Sequence, residues 1–110
     1  VSALGSGSTM AGIGLPDVLA EARLATLLTS AAGSNVPGAP DAAAALRMAT
    51  LDGAQVLGLA GEIGSVVPGK SADLVCFDLA ATSVGAAARV PDALLFDASA
   101  RDVTDAWIAG

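Results

Sequence analysis

The chain has 110 residues, room for one domain, and carries 26 alanines and 13 glycines against three aromatic residues, Phe77, Phe96 and Trp107. Burial contributes about 25 cal/mol per Å² of apolar surface, so such small side chains gain little each, and the 54% hydrophobic content overstates the core. A net charge of −6 with only five scattered basic residues (Arg23, Arg47, Lys70, Arg89 and Arg101) argues against nucleic-acid partners and anionic membrane surfaces, which need clustered Lys and Arg.

Mean hydropathy is high at +0.68, yet no membrane span is expected. The longest charge-free stretch, Leu24 to Pro40, is interrupted by Gly33, Asn35, Pro37 and Pro40 and falls short of the ~20 apolar residues that a span needs. No basic segment precedes an apolar one at the start, so a secretory leader is not expected. A single cysteine, Cys76, leaves no internal disulfide and points to a reducing, cytoplasmic setting.

In chain order, Val1 to Leu4 is a short apolar run that suits a strand, delivering the loop Gly5-Ser6-Gly7-Ser8-Thr9. Pro16 and Asp17 suit the first turn of a helix running to about Ala31. Its polar residues Glu21, Arg23, Thr26 and Thr29 do not gather on one face, the pattern of a helix packed on several sides. Gly33 to Pro40 is a turn-rich linker. Asp41 is a good N-cap for a helix over Ala42 to Leu51, broken by Asp52-Gly53, with a second short helix at Ala54 to Leu57 closed by Gly58.

The run Gly64-Ser65-Val66-Val67-Pro68-Gly69-Lys70-Ser71-Ala72-Asp73-Leu74-Val75 reads as a tight turn feeding a strand. Ala72 to Leu79 is that strand, near-continuously apolar at Leu74-Val75-Cys76-Phe77 as expected when both faces are covered. Ala80 to Val90 is low in complexity and reads as a loop. Pro91 to Phe96 suits one helical turn, and Val103 to Ile108 a final strand.

Chemistry-bearing residues are scarce. No histidine occurs, which removes histidine acid/base catalysis, a Ser-His-Asp triad and histidine metal ligands, and one cysteine rules out thiolate clusters. The eleven carboxylates form no ligand constellation in sequence, and Asp97 to Asp102 reads as a solvated turn. Gly5-Ser6-Gly7-Ser8 has the glycines of a phosphate cradle but neither the lysine of a P-loop nor a completed Gly-x-Gly-x-x-Gly, since position 10 is Met10. Gly69-Lys70-Ser71 precedes a strand instead of a helix, so Lys70 is expected to serve its turn. Cys76 is expected to be a buried small hydrophobe and Trp107 a core or domain-contact residue.

The Gly64 to Val75 run, together with Ala45-Leu46-Arg47-Met48-Ala49-Thr50 and Gly53-Ala54, closely resembles the C-terminal end of amidohydrolase-superfamily enzymes. The nearest likeness is to deaminases acting on methylthioadenosine and S-adenosylhomocysteine and to related chlorohydrolases. The resemblance implies an α/β fold: a C-terminal fragment of a metal-dependent hydrolase (β/α)8 barrel plus part of a small composite β-sandwich domain. On that comparison, residues 1–60 hold the last barrel strand and following helices, and residues 61–110 the C-terminal part of the composite β domain. The likeness is strongest from Ala45 to Leu79 and weakest from Ala80 to Arg89.

The resemblance also implies hydrolytic loss of an amino or halogen group from a purine, pterin or triazine-like ring. A water on zinc or iron attacks the ring carbon in that chemistry. Histidines on earlier barrel strands bind the metal, and an aspartate after the eighth strand, written Leu-Gly-Thr-Asp-Gly, binds it and shuttles a proton. The matching positions here are Leu4-Gly5-Ser6-Gly7-Ser8, so Gly7 stands where the aspartate is expected. Glycine neither binds a cation nor accepts a proton. The chain alone is therefore expected to carry no catalytic, cofactor or metal residue and to be inactive. Its expected partner is the remainder of the barrel or a homologous subunit, with a small-molecule substrate only in the intact enzyme. The alternative is a non-catalytic structural or interaction subunit completing a partner's fold.

Overall fold

Two aspartates start the helices that organise the structure, a computed structural model that describes residues 1–6, 17–33, 36–80 and 89–110. Asp17 caps α1 (Val18–Ala31), its carboxylate accepting from the backbone amides of Leu19 and Ala20 at 3.0 Å each. Asp41 does the same for α2 (Ala42–Met48), accepting from the Ala44 amide at 2.8 Å. Each cap satisfies amides that the first helical turn leaves without partners, an effect of about 1 kcal/mol.

The break after α2 comes earlier than the sequence suggests. α2 ends at Met48, and α3 (Leu51–Val56) already contains Asp52 and Gly53. The elbow lies at Ala49-Thr50, where Thr50 leaves helical geometry (φ −126°, ψ −95°) and turns its hydroxyl back onto the Leu46 carbonyl at 2.8 Å. Asp52 is held inside the new helix by an ion pair to Arg47 at 3.0 Å and by its place in the first turn. Gly53 lies within the new helix, where a Cβ would meet the Met48 carbonyl oxygen only at an ordinary 3.4 Å contact. Gly58, at φ +74°, follows the last helical residues and its amide bonds to the Gln55 carbonyl.

Residues 1–6 form no strand, contrary to expectation. A strand needs a neighbour for its ladder, and the sheet among the described residues contains only β1 (Leu74–Phe77) and β2 (Val103–Trp107). Instead the Leu4 amide donates to the Met48 carbonyl at 3.2 Å and the Leu4 side chain packs on the core.

β1 and β2 pair antiparallel, Leu74 facing Trp107 and Cys76 facing Asp105. The register then slips so that Phe77 faces Val103, which leaves Thr104 as the extra residue of a bulge. Asp73 clasps the far end of this ribbon, its Oδ1 accepting from the Ala109 amide at 2.8 Å. Cys76 is exposed, and so is its neighbour Val75. The expectation of a buried thiol fails because, among the described residues, no further layer covers the ribbon at Cys76 and Val75. Trp107, at 45% exposure, shares that openness.

Between the strands, a helical turn, α4 (Val90–Asp92), runs on into a π-turn (Ala93–Asp97), as the Pro91 to Phe96 pattern suggests. It packs against α1 and α2 and delivers Leu95, the largest fully buried side chain. Leu95 meets Ala22, Ala42 and Ala45, with Leu4, Leu19, Leu46 and Ala49 around them. This is a core of one leucine among alanines, which lets the backbones approach closely. Among the described residues α1 is covered on one side: Ala22 and Thr26 are buried while Leu24, Leu27 and Leu28 are exposed, where the scattered polar residues suggest packing on several sides. The loop expected over Ala80 to Val90 lies mostly outside the described residues, as does Pro16.

Candidate functional site

The segment that carries the sequence's sharpest functional expectation, Gly7 with Ser8 to Pro16, lies outside the described residues. What the structure places is the frame on either side. Gly5 and Ser6 follow directly from Leu4, whose amide is tied to the end of α2, and Asp17 opens α1 on the far side.

Three polar arrangements surround that frame. The first is Arg23, which sequence reading treated only as a scattered cation. Its guanidinium donates from Nε to the Leu95 carbonyl at 2.7 Å and from Nη2 to the Ala98 carbonyl at 2.8 Å. Those carbonyls sit at the end of the π-turn, so one fork on α1 holds the point where the chain turns toward β2. Arginine suits this task because its planar fork presents two parallel donors. No sequence signal marks it, since its acceptors are backbone atoms more than 70 residues away.

The second is Lys70, whose ammonium is turned inward onto the loop that precedes β1. It donates to the Ala60 carbonyl, to Ser65 Oγ at 2.8 Å and to the Ile63 carbonyl at 3.4 Å. With three acceptors engaged, it organises the turn, as expected, and presents no free amine. The turn itself closes through the Lys70 amide on the Val67 carbonyl at 3.2 Å, with Pro68 and Gly69 at its centre. Gly69 has φ +93°, the backbone that the third place of a type II turn requires.

The third is Ser99 to Asp102, a short 3₁₀ turn (Ala100–Asp102) sealed by a capping box. Asp102 Oδ2 accepts from the Ser99 amide at 2.8 Å and from the Ser99 hydroxyl at 3.0 Å. Ser99, Ala100 and Arg101 are exposed, but the solvated turn expected over Asp97 to Asp102 holds only there: Ala98 is fully buried, and Asp97 is half-buried with its Oδ2 enclosed and without a hydrogen-bond partner among the described residues.

A cleft of about 470 Å³ opens between the first and third of these arrangements, with Asp17, Leu19, Arg23, Phe77, Ser99 and Val103 on its walls. It lacks the convergent donors of a catalytic pocket: the Asp17 carboxylate caps α1 and the Arg23 fork is engaged. Among the described residues no group of three or more His, Cys, Asp or Glu side chains comes together. With no histidine in the chain and Cys76 standing alone on β1, this donor set does not fit a catalytic zinc. No helix among the described residues is long and apolar enough to cross a membrane.

Comparison with known proteins decides the family. The profile of the Amidohydrolase family matches residues 2–110. This chain belongs to the amidohydrolase family. A crystal structure of an adenosine deaminase from Xanthomonas campestris with bound zinc is similar at a TM-score of 0.74 and 46% sequence identity, over 86% of this chain and 21% of that one. The 5-methylthioadenosine/S-adenosylhomocysteine deaminase of Teredinibacter turnerae is 31% identical over 86% of this chain and 21% of its own length. An S-triazine hydrolase of Gordonia rubripertincta is 35% identical over 59% of this chain and 14% of its own. The chain thus spans about a fifth or less of the length of these amidohydrolase relatives.

Proposed function

We propose that this chain is the C-terminal segment of a cytoplasmic, metal-dependent hydrolytic deaminase acting on purine-like or triazine-like rings. In that reading residues 1–60 supply the last strand of a (β/α)8 barrel and its helices, and residues 61–110 the C-terminal part of a small composite β domain. The observation that carries it is the unbroken likeness, residues 2–110 in sequence and 86% of the chain in structure, to an enzyme family with deaminase members. The segment contributes scaffold: α1, α2 and the π-turn form a packed layer, and Arg23 fixes the turn into β2. In this reading metal ligands come from the remainder of the protein, since no ligand group comes together among the described residues and the chain has no histidine. A zinc or iron ion there would supply a water acidic enough to attack the ring.

Gly7 favours a second reading, in which the chain is a non-catalytic subunit or degenerate relative that completes a partner's fold. A glycine at the place of a metal-binding, proton-shuttling aspartate removes both roles at once.

The test begins with the intact mass of the native gene product, followed by its zinc and iron content and by ammonia release from adenosine and methylthioadenosine. The expected result is a product several times heavier than 10.5 kDa that binds metal and deaminates slowly, with Gly7→Asp raising turnover at least tenfold. A native product of 10.5 kDa that binds no metal overturns the enzyme reading and leaves the structural one. Brisk turnover that Gly7→Asp does not increase would show that Gly7 does not occupy the aspartate's place.

A further inference from the structure

We draw no further inference here: the strongest candidate, the cleft of about 470 Å³ between the Asp17 end of α1, Phe77 and the turn leading into β2, has its polar groups engaged in capping α1 and in the Arg23 fork, and nothing in the structure shows what covers its apolar wall.

Discussion

The helical layer and the β ribbon both expose apolar side chains, but among the described residues only the first also encloses a fully buried cluster. α1, α2 and the π-turn bury Ala22, Ala45, Leu95 and Ala98 to 0% exposure. The ribbon leaves Val75 at 55% and Ile108 at 87%. A helix satisfies its own backbone and needs one neighbour for one stripe, whereas a strand needs neighbours at both edges and layers on both faces. The helical layer therefore encloses a small core while leaving Leu24, Leu27 and Leu28 exposed on its outer side, and the ribbon encloses none. Loop 59–73 joins the two and is braced locally, by Lys70 on its carbonyls and by Gly64 against α3.

Leu95→Ala should break the comparison most completely. Leu95 is the one fully buried large side chain among the described residues, set among Ala22, Ala42 and Ala45, which cannot collapse far to fill the gap, with Leu4, Leu19 and Leu46 packed around them. We expect a loss of about 3 kcal/mol or more in chemical denaturation, since leucine-to-alanine changes at buried sites cost roughly 2–5 kcal/mol. A loss below about 1 kcal/mol would mean that the helical layer is not the closed unit described here.

The two glycines of the connecting loop separate strain from crowding. Gly64 has φ +86°, and a Cβ there would stand 2.7 Å from Ala54 Cβ and 3.0 Å from Leu51 Cα. Gly69 has φ +93°, but a Cβ there meets nothing within 4 Å. Gly64→Ala should thus combine overpacking against α3, about 1–3 kcal/mol, with left-handed backbone strain of about 1–2 kcal/mol. Gly69→Ala carries the strain alone. Equal losses in thermal denaturation would overturn the close seating of the loop on α3.

Arg23→Met tests the fork between α1 and the turn into β2. Hydrogen bonds from a charged donor contribute about 1.5–3 kcal/mol, so a loss of about 2 kcal/mol is expected, with faster hydrogen exchange at Val103 to Trp107. Arg23→Lys reaches one carbonyl and should recover part of this. Unchanged exchange in the strand amides would show that β2 is held by its pairing with β1 alone.

How much of this was legible in the sequence follows from the range of each interaction. Asp41 and Gly58 act within four residues of themselves, and their capping roles could be read directly; Asp17 was legible as part of a helix start, but it caps α1 from just outside instead of lying in its first turn. The Pro68-Gly69 turn and β1 were equally local. The elbow lies three residues before the place that Asp52 and Gly53 suggest, because these two look like breakers. Asp52 is held there by its ion pair to Arg47, which only the folded α2–α3 pair reveals. The Arg23 fork and the Asp73 clasp on Ala109 span 72 and 36 residues and leave no local trace. Cys76 was misjudged for a different reason: an apolar run tells what a strand would bury, while exposure depends on which layers are present.

That last point gives the smallest expected effect on the chain itself and the sharpest test of its origin. Val75 lies on an open face of the ribbon, so Val75→Thr in this chain should change denaturation stability by no more than about 0.5 kcal/mol. In a longer amidohydrolase whose other segments cover that face, the same hydroxyl becomes a buried polar group without a partner, at a cost of about 1–3 kcal/mol. The ratio of the two losses reads the cover directly, without any assay of activity. If both contexts lose equally little, the ribbon stays open in the intact protein, and the proposed composite β domain loses its physical basis while the family membership stands.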